Sequence, residues 1–152
     1  MPGRGAVSPQ SSRDKRAKHS LPGTTVHEEG RAISGKAAIS LTTGLEDAER
    51  VTVAFLMAVA AAEEGRPTKM FLTKEAVRLV LPGVAVGTAC AGCPPLESLV
   101  ERYRAAGGTY LVCPICVEAK QLDTSTLIEG AELGGTVPFW RWIGDGATTF
   151  SF

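Results

Sequence analysis

Histidine is scarce in this chain. Of 152 residues only His19 and His27 are histidine, and both stand in a stretch, residues 1–35, dominated by Gly, Pro, Ser and charge. Most imidazole-based acid–base catalysis is thereby removed from consideration. Long apolar runs are lacking too. The longest, "VTVAFLMAVAAA", has twelve residues, short of the ~20 that cross a bilayer. No apolar run follows the N-terminal Arg and Lys residues, so no secretory signal is expected and a cytoplasmic location is. Net charge is zero, but it is unevenly spread. Residues 1–36 hold seven Lys or Arg against three acidic residues, while residues 37–152 hold nine against thirteen. An acidic body with 6% aromatic residues offers little to a phosphate backbone, which argues against nucleic-acid binding.

The tail, residues 1–35, has too little apolar surface to offset its ordering entropy and is expected to be disordered. Order is expected from residue 36 to residue 152. "KAAISL" reads as a buried strand closed by Thr42, Thr43 and Gly44. "LEDAERVTVAFLMAVAAAEEG" reads as a helix. It has an acidic first turn, apolar residues at helical spacing from Val51 to Ala62, and Gly65 as its stop. "TKMFLT" is a second strand and "KEAVRLVL" a short helix. Pro94 and Pro95 open the helix "LESLVERYRAAGG", and "TYLVC" is a third strand left by a helix or turn, "PICVEAKQL". "DTSTLIEGAELGG" is expected to hold another short helix capped by Asp123, "TVPFWRWIGDG" to be helical in part, and "ATTFSF" to be the last strand.

Strands alternating with helices predict a three-layer α/β domain over residues 36–152, with a mainly parallel sheet and helices on both faces. Loops after strands then gather at one sheet edge, where such folds place their sites. Cys113 and Cys116 follow the third strand there, and Cys90 and Cys93 precede a helix that starts at the same edge.

Three stretches resemble the DsrE/DsrF-like family when taken together in order and spacing. "LTTGLEDAERVTVAFLMAVAAAEEGRPTKMFLTKEAVRL" resembles the family's opening, in which a Thr/Ser-Gly loop, an Ala-rich helix and a strand of the "vvFLtkEGv" kind follow one another. "CPPLESLVERYRAAGGTYLVCPICVEAKQLD" resembles its "pple-ell-aaGv-vyvC-pC-aargl" stretch, and "TTFSF" its closing strand. The resemblance implies a flavodoxin-like sandwich assembled as a homotrimer or homohexamer. It also implies persulfide transfer through a cysteine just after a core strand. Cys116 matches that position and Cys113 neighbours it, whereas the Cys90 and Cys93 pair stands outside the usual family pattern.

Several readings of the four sulfurs stand side by side. Cysteine is often simply a small buried apolar residue. "CAGC" and "CPIC" are separated by nineteen residues, which fits the spacing of a zinc site built from Cys90, Cys93, Cys113 and Cys116, with an iron–sulfur cluster less favoured. The expectation adopted is sulfur chemistry: a sulfurtransferase-like carrier or a thiol-redox protein, holding a persulfide on Cys116 with Cys113 as partner and needing no cofactor. A helix start would stabilise the thiolate of Cys116, and of Cys93 before "PPLESLV". Partners would be further copies of this chain and a sulfur donor or acceptor protein. A third reading is a non-catalytic oligomeric scaffold. Glu118 and Lys120 could tune the thiol, and Thr42, Thr43 and Gly44 could meet an anion, though a solvated face and helix capping are the ordinary roles of such residues. Phe139, Trp140 and Trp142 suit a core or a subunit interface.

Overall fold

Among the described residues, five short strands build one sheet. The computed structural model describes residues 35–152, together with Gly3. The expectation of a disordered tail therefore falls outside the described residues, apart from Gly3 and Gly35. The strands are β1 (Lys36–Leu41), β2 (Thr68–Leu72), β3 (Thr109–Val112), β4 (Ala131–Leu133) and β5 (Ala147–Ser151). Their order is β4-β3-β2-β1-β5, and every pairing is parallel. The helices are α1 (Ala48–Glu63), α2 (Leu96–Ala105), α3 (Pro114–Ala119) and α4 (Thr136–Ile143), with a 3-10 helix over Lys74–Val80.

Strand alternation sends residues to two faces. Ile39, Leu41, Met70, Leu72, Tyr110 and Val112 form the main core with α1 and α2. On α1, Val51, Ala54, Phe55, Ala58, Val59 and Ala62 recur at helical spacing and are buried, and Asp47 caps the helix by accepting the Arg50 N–H. Ala38, Phe71 and Leu111 point the other way and meet Phe139 of α4, whose ring stacks on Phe71 at 4.7 Å between centroids. The expected α/β sandwich is thus present, with a sheet that is parallel throughout. Among the described residues no helix is long and apolar enough to cross a membrane.

One expected element is corrected. No helix forms between residues 123 and 130. The Asp123 side chain instead accepts the Ser125 N–H at 2.9 Å, a local turn that competes with helix formation. Ile128 donates its N–H to the Val80 carbonyl at 3.0 Å, and Leu127 and Ile128 pack on the core as an irregular segment. The residues that follow form the sheet edge β4, a strand not anticipated. Gly130 and Gly134 bracket its three residues, too few to show a period.

Three aromatic rings centre the main core. Tyr103 lies edge-on to Tyr110 at 5.1 Å and to Phe55 at 6.3 Å. Its hydroxyl donates toward the carbonyls of Thr109 (2.9 Å) and Thr68 (3.1 Å), tying α2 to β2 and β3. Gly108 lets the ring in, since a Cβ there would meet it at 2.2 Å. The Tyr110 hydroxyl is also buried but finds no partner among the described residues. The two tyrosines should therefore respond oppositely to loss of the hydroxyl. Tyr103→Phe should lower stability by about 1 kcal/mol, whereas Tyr110→Phe should be neutral or stabilising by up to ~1 kcal/mol. Urea unfolding midpoints of the two variants check this, and equal losses would contradict it.

Candidate thiol site

The site forms where three parallel strands end together. Two backbone hydrogen bonds carry the sheet ladder past the strand ends: Thr73 N–H to the Leu41 carbonyl and Cys113 N–H to the Leu72 carbonyl, each 3.0 Å. A third, from Ala76 N–H to Thr42 O at 3.4 Å, joins the loop after β1 to the 3-10 helix. Gly44 permits this approach, because a Cβ at that position would meet the Glu75 carbonyl oxygen at 2.9 Å.

At the start of the 3-10 helix Lys74 takes φ +50°, a left-handed value that costs a non-glycine residue energy. In that conformation its N–H donates to Cys116 Sγ at 3.2 Å. Cys113 is the N-cap of α3, with no side-chain capping bond, and Pro114 follows it. Cys113 and Cys116 are both free thiols and both half-buried. Val117 anchors the short helix in the core. Lys120, four residues after Cys116, pairs with Glu75, which also holds Arg78 at 3.0 Å. These two cations draw the Glu75 carboxyl below its ordinary range, through hydrogen bonds first of all.

The Cys116 thiol is raised above its ordinary value, against the expectation of a thiolate stabilised at a helix start. Burial is the largest cause. The Lys74 N–H and the Lys120 charge pull the other way, while the Cys113 sulfur adds to the rise. The physical reason is position. Cys116 is the third residue of a six-residue helix whose first residue is Pro, so its N–H contact comes from another element.

Cys90 and Cys93 are bonded to each other as a disulfide. Pro95, not Cys93, is the N-cap of α2. The four sulfurs are therefore divided into a dithiol and a disulfide. Among the described residues, no group of three or more His, Cys, Asp and Glu side chains is arranged to hold a metal ion. Of the residues considered for an anion, Gly44 donates its N–H to Glu46 and Thr42 donates both N–H and hydroxyl to the Phe152 carbonyl, while Thr43 is buried. Lys120 does face the thiol site, whereas Glu118 is exposed. Phe139 is buried and Trp142 partly so, while Trp140 is 68% exposed. Sequence reasoning missed Lys74 and Glu75. Glu75 lay within the "FLTKEAV" stretch that carried the resemblance, but the Lys74 contact is made by backbone and leaves no side-chain signal.

An all-parallel α/β sandwich with a C-x-x-C dithiol at the C-terminal edge of its sheet defines the class. The chain belongs to the DsrE/DsrF-like family, whose sequence pattern matches residues 35–152. An uncharacterised protein of Methanocaldococcus jannaschii is 28% identical over 102 residues, which are 67% of this chain but 37% of that protein. This chain therefore spans well under half of that relative's length. Among solved structures, the ychN protein of E. coli superposes with a TM-score of 0.66 at 21% identity, covering 78% of this chain and all of the other. A protein of unknown function from Methanobacterium thermoautotrophicum gives 0.57 at 12% identity, with 78% of this chain and all of that one covered. These structures share the fold.

The pH dependence of Cys116 alkylation tests this electrostatic arrangement. Its inflection should lie above that of an ordinary thiol. Cys113→Ala removes a group that raises the thiol and should move the inflection down. Lys120→Met removes a charge that lowers it and should move the inflection up. Mass-resolved alkylation rates at Cys116 across pH check both signs, and shifts in the same direction would refute the assignment.

Proposed function

We propose that this protein is a sulfur carrier that accepts a persulfide on Cys116. The observation that carries the reading is the Cys116 sulfur itself, half-buried, held by the Lys74 N–H at 3.2 Å and set beside a second free thiol. Family membership supports a sulfur-relay type of function in general terms. In the transfer the Cys116 thiolate attacks the outer sulfur of a donor persulfide. The donor's sulfur–sulfur bond breaks, the donor leaves as a thiolate, and a new bond joins that sulfur to Cys116, with no net oxidation. Cys113 could then attack Cys116 Sγ, forming a Cys113–Cys116 disulfide and releasing hydrosulfide. Partial burial suits such a carrier: it limits stray oxidation while leaving one side open to a partner.

Intact mass after exposure to a persulfide donor is the test. Cys113→Ala should gain one sulfur that reduction removes, the parent should gain that sulfur and then lose it as the Cys113–Cys116 disulfide forms, and Cys116→Ala should gain none. Uptake by Cys116→Ala at the parent rate, with loss in Cys113→Ala, would reverse the assignment within the pair. Near one zinc per chain by elemental analysis, lost in Cys90→Ser, would favour a metal site instead.

Self-association is part of the same proposal. On α4, Val137 and Trp140 stand three residues apart on the outward side and are 59% and 68% exposed. Such residues suit a contact with further copies of this chain, as a homotrimer or homohexamer. Light scattering should give a mass above the monomer at micromolar concentration, and Trp140→Glu should lower it. A clean monomer for the parent would remove this part.

A further inference from the structure

From the loop that joins the 3-10 helix to α2, we infer that Cys90–Cys93 is a second reactive site, a disulfide that exchanges with an external dithiol. As a staple the bond is largely redundant. Both cysteines belong to one turn, which the Cys93 N–H to Cys90 carbonyl hydrogen bond, 3.0 Å, already closes. The bond ties no two elements of the fold together, and a loop this short gains least from closure. It is also reachable. Both cysteines are partly exposed, while the intervening Ala91 and Gly92 and the following Pro94 are exposed. Gly92, at φ +76°, turns the backbone without placing a side chain over the sulfurs.

The exchange balances in two steps. A thiolate of the incoming dithiol attacks one sulfur of the pair, and the Cys90–Cys93 bond breaks. The other cysteine leaves as a thiolate and takes up a proton. The second sulfur of the dithiol then attacks the mixed disulfide, leaving the dithiol oxidised and both cysteines as thiols. Two electrons and two protons pass to this chain. The reaction needs neither Cys113 nor Cys116, so the site stands apart from the proposed persulfide chemistry.

The experiment uses the full chain carrying Cys113→Ala and Cys116→Ala, purified without reductant, and the parent in parallel. Each is alkylated with iodoacetamide before and after dithiothreitol, and adducts are counted by intact mass. The double variant should show no adduct before reduction and two after. The parent should go from two to four, which keeps the reading intact if the variant folds poorly. Reduction of native protein should proceed within severalfold of the rate in guanidinium chloride, and oxidised glutathione should re-form the bond. The urea midpoint of the reduced protein should match that of the oxidised protein. Two adducts on the double variant, or four on the parent, before any reductant would overturn the inference. Reduction only after unfolding, or a marked fall in midpoint on reduction, would make the bond a structural staple and overturn it equally.

Discussion

The site depends on a backbone ladder that does not stop where the strands stop. Leu41 and Leu72 are paired in β1 and β2, and Leu72 is paired with Val112 of β3. Beyond those pairs, Thr73 and Cys113 each donate one more N–H to the neighbouring strand's last carbonyl. That extension fixes Cys113 to the end of β2 and Lys74 one residue past a fixed point. Parallel strands bring all their C-terminal ends to one edge, so a contact between residues 42 positions apart follows from topology. The hydrophobic core supports this edge from beneath through Leu72, Val112 and Val117, which belong to the same buried cluster.

Around that fixed point the two faces of the sheet do different work. The α1 and α2 face is dense with buried aliphatic and aromatic side chains, and Tyr103 locks it to two strand carbonyls. The α4 face is thinner. Phe139 and Trp142 cover Phe71 and Leu111, while Lys36 and Lys69 approach the Trp142 ring at 5.5 and 5.8 Å. Lysine stems and a cation–π contact thus finish a face that apolar residues alone do not close. Lys69 is nearly buried and finds a counter-charge in Glu132 of the edge strand at 2.7 Å, which ties β4 to the sheet by charge as well as by ladder.

How much of this was legible depended on the length of each signal. α1 offered sixteen residues of helical spacing, and β1 to β3 each carried an apolar run bounded by turns, so their type and order could be read directly. β4 has three residues between glycines and gave no period to read, and Asp123 has the chemistry of a cap but serves a turn. The cysteine spacing fitted a zinc site as well as it fitted redox pairs. Nothing in "CAGC" announces that its sulfurs bond to each other while those of "CPIC" stay free. The Lys74 contact was beyond reach because it depends on one backbone angle, and the residue that adopts it is not one that sequence rules favour there.

That backbone angle also bears on how the thiol is controlled. A cysteine packed against the core, as Cys116 is, loses solvation, and burial alone would keep its proton on. Here burial is only partial, and two favourable elements act against it, one N–H and one ammonium group. The ammonium is shared, because Glu75 holds Lys120 with a carboxylate that Arg78 also engages. The N–H is not shared and cannot titrate. It is held by the same strand-end ladder that places Cys113, so the geometry facing the sulfur is set by the fold. The charge facing it is set by an ion pair at the surface, where salt and a docking partner can reach it. A thiol built this way holds its proton against the pull of the N–H and the ammonium, and becomes more reactive when its surroundings gain positive charge. That behaviour suits the sulfur acceptor proposed above, which would react with a partner rather than with solvent.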